Sequence, residues 1–173
     1  MTTIIILSNI IALIASILMV IGGLFKSKKT CLIVQSIQLL ITIIVSCMLG
    51  AISAIIVNGI SIFRNILTYK NKLNLLIKII MNIIVFTLTI IFAKNIVDLF
   101  PFIAFFIYTI ILDKLNDIQF KWLNNIVMIL WTIYDFSFQA YIFFIFDILF
   151  IITNNIALFK LYKENNSNKR HDT

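Results

Sequence analysis

Apolar residues come in long unbroken runs along this chain, and short stretches holding most of its charges separate them. The runs fall at about 3–25, 31–48, 50–69, 74–93, 96–112, 122–137 and 139–160. Apolar and polar positions do not alternate within them, as they would in the strands of a membrane barrel. A helix needs about 17–25 predominantly apolar residues to cross hydrocarbon, where a lipid-facing backbone must satisfy its own hydrogen bonds. Seven runs therefore predict seven membrane helices, with 96–112 and 122–137 at or just under the lower limit. The first run lacks a positive leading segment, is too long for a signal peptide's apolar region and precedes no small-residue cleavage site. It reads as a retained first span.

Composition agrees. Hydrophobic residues make up 62% of the 173 positions and charged ones 12%, with a mean hydropathy of +1.10, well beyond the range of a soluble domain. The expected class is an all-α polytopic membrane bundle. A single transmembrane domain covers 1–160, and a polar cytoplasmic tail, 161–173, ends in KENNSNKRHDT. That tail reads as disordered, with a basic character suited to an anionic inner leaflet. Cys31 and Cys47 lie in apolar surroundings without C-x-x-C spacing. They read as packed thiols, with no disulfide and no zinc site.

Basic residues collect in short cytoplasmic loops, so their placement tests the span count. With the N-terminus outside, the inner connections receive Lys26, Lys28 and Lys29, then Lys70 and Lys72, then Lys114 and Lys121, and finally Lys160, Lys163, Lys169 and Arg170. Arg64 and Lys78 lie toward the same inner ends, and only Lys94 falls outside. The formal charge of +7 is then explained by membrane orientation and requires no nucleic-acid partner.

A shift of 90 residues lays the third run on the seventh. Gly50 meets Ala140, Asn65 meets Asn155, Ile66 meets Ile156, Tyr69 meets Phe159 and Lys70 meets Lys160. The second run then falls on the sixth and the first on the fifth. This predicts a three-plus-one-plus-three plan of two parallel three-helix repeats, about 1–70 and 94–160, joined by a linker helix at 74–93.

The stretch Leu49 to Lys72, the Leu99-Phe100-Pro101 opening of the fifth run, and WTIYD from Trp131 followed by Asp147, Asn154 and a basic end resemble the YgjV-type family of bacterial inner-membrane proteins. The resemblance covers nearly the whole chain. It implies a helical plan similar to that of the SWEET and PQ-loop carriers of sugars and amino acids, but no established activity. The chain departs from the family pattern at Val45, where a histidine tends to precede the glycine by five positions.

Polar residues inside the spans are the candidates for chemistry, since a charge at the bilayer centre costs at least about 2.5 kcal/mol. Asn58, Ser61, Arg64 and Asn65 share one face of the third span, and Asp147 and Asn154 share one face of the seventh,. Arg64 either snorkels to the inner interface or faces the bundle. Asp147 lies about eight residues, roughly 12 Å, into its span, too deep for a short side chain to reach water unaided. It is expected to pair with Arg64 or an asparagine, to contact substrate, or to carry a proton. Asn58, Asn154 and Asn155 either join helices or hold a ligand. Trp131, Tyr134 and Asp135 share a helix face, as an interfacial aromatic belt or as an aromatic wall with an acid beside it. Pro101 is expected to interrupt the fifth span and free a carbonyl near residue 97.

His171 stands alone in the tail, and no nucleophile-base pair or glycine-rich phosphate loop occurs among four glycines,. No enzyme activity, cofactor or metal is expected. Two functions stay open. One is a carrier that binds a small polar metabolite between the repeats at Asn58, Arg64, Trp131, Tyr134, Asp135, Asp147 and Asn154 and exposes it alternately to each side. The other is a non-transporting subunit or scaffold whose polar residues lock helices together. The expected partners are the lipid bilayer, such a metabolite and a second copy of the chain.

Overall fold

A computed structural model describes the backbone of residues 2–50, 52–93, 95–137 and 140–171, and the side chains of these residues except 2–6, 49 and 166–171. They form seven helices: α1 Thr2–Leu24, α2 Lys28–Leu49, α3 Ile52–Tyr69, α4 Leu75–Phe92, α5 Phe100–Ile111, α6 Asp117–Ser137 and α7 Tyr141–His171. Short 3-10 turns, Ile96–Leu99 and Leu112–Lys114, flank α5. Counting those turns, Ile96–Lys114 gives a span of 19 residues.

Six of the seven are long and apolar enough to cross a membrane. The other is α6. At 21 residues it is long enough, but Lys121, Asn124, Asn125 and Asp135 lower its hydropathy. It begins five residues earlier than the apolar run suggested, because Lys121, read as a loop charge, lies within the helix.

Helix ends follow local chemistry. Gly50 ends α2 at φ +69°, in the left-handed region that glycine enters without penalty, and its N–H bonds the Cys47 and Ser46 carbonyls,. Asn74 caps α4 by accepting the Ile77 N–H at 2.9 Å,. Asn95 and Asp98 form a reciprocal capping box at the turn before α5,. Pro101 corrects an expectation. It occupies the first turn of α5, where its missing N–H removes no helical bond, so it starts the helix and does not interrupt it,. The tail is a second correction. With no glycine or proline after Tyr141, α7 continues to His171, roughly 46 Å at 1.5 Å per residue, and so outruns a hydrocarbon core of about 30 Å,.

Packing inverts the soluble pattern. Ile10, Leu13, Ile14 and Ile17 of α1 and Ile79, Ile80, Ile83 and Ile84 of α4 face outward, whereas Ser8, Ser16, Gln38, Ser46, Asn58, Ser61 and Asn65 are buried. Between helices in lipid, attraction comes from close van der Waals contact and polar bonds, so small residues belong at the seams. α1 places Ser8, Ala12, Ala15 and Ser16 there. Gly23 continues that seam, because a Cβ at this position would clash with Thr153 Oγ1 on α7.

α1 packs on α2 and α7, α2 on α3, α3 on α5, α5 on α6, and α6 on α7. These six helices close a ring. α4 packs against α3 and α5 and contributes nothing to the cavity inside. Contacts between connections tie one end of the bundle together. Lys26 pairs with Glu164 and Lys78 with Asp113. The Lys28 ammonium donates to the Leu115 carbonyl at 3.0 Å, and its backbone N–H to Asp117 at 2.8 Å. Basic residues thus gather at one end, as the sequence predicts, and partly cap helix C-termini there.

Candidate functional site

The ring encloses a cavity of about 390 Å³, within the range of small-molecule sites. Asn58 and Arg64 reach it from α3, Trp131, Tyr134 and Asp135 from α6, and Asp147 from α7. The polar stripe of α3 is its buried face, which comprises Ala54, Val57, Asn58, Ser61, Arg64, Asn65 and Thr68.

Arg64 is 3% exposed, so it does not snorkel to the interface. Its Nε and Nη2 donate to Asn65 Oδ1 at 3.2 and 2.9 Å. The guanidinium lies over the Tyr108 ring, 4.3 Å from the centroid, and 5.2 Å from that of Phe105. Such cation–π contacts are worth about 0.5–2 kcal/mol, more when desolvated. Arg64 forms no ion pair with Asp147 or with any other acid among the described residues. Asn65 donates to Gln35 Oε1 at 3.2 Å, and the Tyr108 hydroxyl donates to Asn124 Oδ1 at 2.9 Å while lying 3.4 Å from Gln35 Oε1. One polar network therefore joins α3, α2, α5 and α6 around the arginine.

The Asp135 and Asp147 side chains lie beside each other in the cavity wall. Asp147 Oδ2 is buried without a hydrogen-bond partner in the protein. Trp131 and Tyr134 meet edge to face, with centroids 5.7 Å apart.

Asn154 lies elsewhere. It is fully buried and donates to the Lys121 carbonyl at 2.8 Å and to Asn125 Oδ1 at 2.7 Å, while Asn125 donates to Asn155 Oδ1 at 2.9 Å. These three asparagines join α6 to α7. Lys121 is buried as well, and its ammonium donates to the Gly23 carbonyl at 2.7 Å, tying α6 to the end of α1.

Sequence reasoning missed Gln35, Gln38, Tyr108 and Asn124, all of which line the cavity. A signal was present for two of them. Gln35, Gln38, Thr42 and Ser46 recur at helical spacing on one face of α2,. Nothing local singles out Tyr108 among the aromatic residues of α5.

A family model described as Imp-YgjV, a bacterial inner membrane protein, matches residues 6–165. The chain belongs to the YgjV family. No curated protein and no solved structure matches it. Membership makes this a multi-span protein of the bacterial inner membrane, and the apolar exterior of the bundle is what such a location requires. The family description names no substrate.

Proposed function

We propose that this YgjV-family protein carries a small polar solute across the inner membrane by alternating access. The observation that carries this reading is the convergence of Asn58, Arg64, Trp131, Tyr134, Asp135 and Asp147, from three helices, on one cavity. Polar groups inside a membrane are costly, and a protein that only locks helices together pairs them with one another. Asn154 and Asn125 follow that second pattern, and they form the support for the scaffold alternative. Arg64 does not, because it lines the cavity with no acidic partner among the described residues.

The packing order is compatible with two parallel repeats on either side of α4. Under the 90-residue shift, the contact of α1 with α7 corresponds to that of α5 with α3, and α1–α2–α3 corresponds to α5–α6–α7. In this reading the basic end of the bundle is cytoplasmic and the N-terminus is outside. A thermal-shift screen of metabolites on the purified chain, followed by uptake of each hit into proteoliposomes, tests the function. Saturable uptake that is lost on blocking the cavity with Asn58→Trp is the expected result. Stabilising hits that are never transported would favour the non-transporting alternative.

A further inference from the structure

Within the carrier reading above, we infer that the solute is a monocarboxylate with an apolar or aromatic body, its carboxylate taken up by Arg64. A guanidinium has five N–H donors and keeps its charge in proteins. Two of these donors point at Asn65 Oδ1. The other three have no protein acceptor among the described residues. Aromatic faces and one amide oxygen are an incomplete environment for a buried cation, which normally requires a counter-ion. A carboxylate is the planar, two-oxygen group that such a fork accepts.

The charge of the cavity selects among anions. Arg64 is the one cationic side chain among its lining residues, and the Asp135–Asp147 pair shares the space. A phosphate monoester, with close to two negative charges, would find one positive charge and a nearby acid pair. A monocarboxylate balances Arg64 alone. The remaining wall fits an apolar body: Phe105, Phe120, Trp131, Phe143 and Phe150 all line the cavity.

The chain has two tryptophans. Trp122 is exposed and bonds the Tyr162 hydroxyl outside the cavity, so Trp122→Phe leaves Trp131 as a fluorescent reporter inside it. The test titrates the purified full-length Trp122→Phe protein with phenylacetate, 4-methylvalerate, phenylacetamide, phenethylamine and phenyl phosphate. Saturable quenching by at least one of the two carboxylates, at least tenfold tighter than by the amide or the amine, is expected. Arg64→Gln should weaken that carboxylate at least tenfold, to the level of the amide, and Arg64→Lys should weaken it less. The inference is overturned if neither carboxylate binds, if phenylacetamide or phenethylamine binds as tightly as the better carboxylate, if phenyl phosphate binds more tightly, or if Arg64→Gln leaves carboxylate affinity unchanged. If Arg64→Gln does not fold, the comparison of acid with amide on the unsubstituted arginine decides. Binding of a neutral or cationic probe without carboxylate binding would leave the carrier reading standing and remove only the carboxylate. Failure of every probe, together with failure of the metabolite screen, would remove both.

Discussion

Asp147 of α7 lies beside Asp135 of α6, and its Oδ2 is buried without a hydrogen-bond partner in the protein. Two acids thus sit side by side within the ring of helices, lining the same cavity. Tyr134 on α6 and Arg64 on α3 line the same cavity as the pair. α1, on the other flank of α7, has no titratable side chain along Thr2–Leu24.

Asp147→Asn keeps the shape of the side chain but removes one of the two neighbouring acids. If the pair couples transport to protons, uptake into proteoliposomes should lose most of its dependence on pH, while binding at Arg64 changes less than about threefold. Equal pH profiles for the variant and the parent would assign the pair a purely structural role.

Gly23→Ala should destabilise the bundle. The added Cβ would clash with Thr153 Oγ1 and come within 3.2 Å of the Phe150 ring, and overpacking of this kind costs about 1–3 kcal/mol. Thermal unfolding of the purified protein measures it. Gly23→Ala with Thr153→Ser keeps the hydroxyl and should recover little, whereas pairing it with Thr153→Ala, which removes the clashing oxygen, should recover part of the loss.

Asn154→Ala removes the amide that bonds the Lys121 carbonyl and Asn125. Polar bonds between membrane helices average about 0.6 kcal/mol and reach about 1.7 kcal/mol, so a modest loss of thermal stability is expected. Asn154 lies outside the cavity, so ligand affinity should stay within about twofold. A tenfold loss of affinity would place Asn154 in the binding site after all.

Orientation is testable by cysteine labelling. Cys47 is exposed and Cys31 buried, so Cys47→Ser provides the background. A cysteine at Asn166 should resist an impermeant reagent in intact cells and react after lysis. Reaction in intact cells would reverse the proposed topology.

Much of the fold is legible along the chain because the bilayer imposes one demand, an apolar run long enough to span it, and such runs are linear features. The seven helices fall close to the seven runs. Where boundaries differ, polar residues inside a helix are the cause, as with Lys121 in α6, or the absence of a breaker, as in α7. Helical spacing also identified the inward stripe of α3, since Asn58, Ser61, Arg64 and Asn65 can share a face only one way.

Periodicity alone cannot say what a face meets. A polar residue against a neighbouring helix and one against a cavity leave the same trace, so Asn154 and Asn58 read alike although one joins α6 to α7 and the other lines the cavity. The partner of Arg64 was equally hidden. Sequence offered Asp147, whereas the ring order puts Tyr108 and Phe105 beneath the guanidinium and leaves Asp147 to Asp135. The sequence by itself determined a membrane-spanning helical bundle, its helix count and the inward face of α3, because each is set by hydropathy and the 3.6-residue turn. Only the tertiary structure decided which polar groups converge, because the azimuth of one helix against the next depends on side-chain packing between segments far apart in the chain.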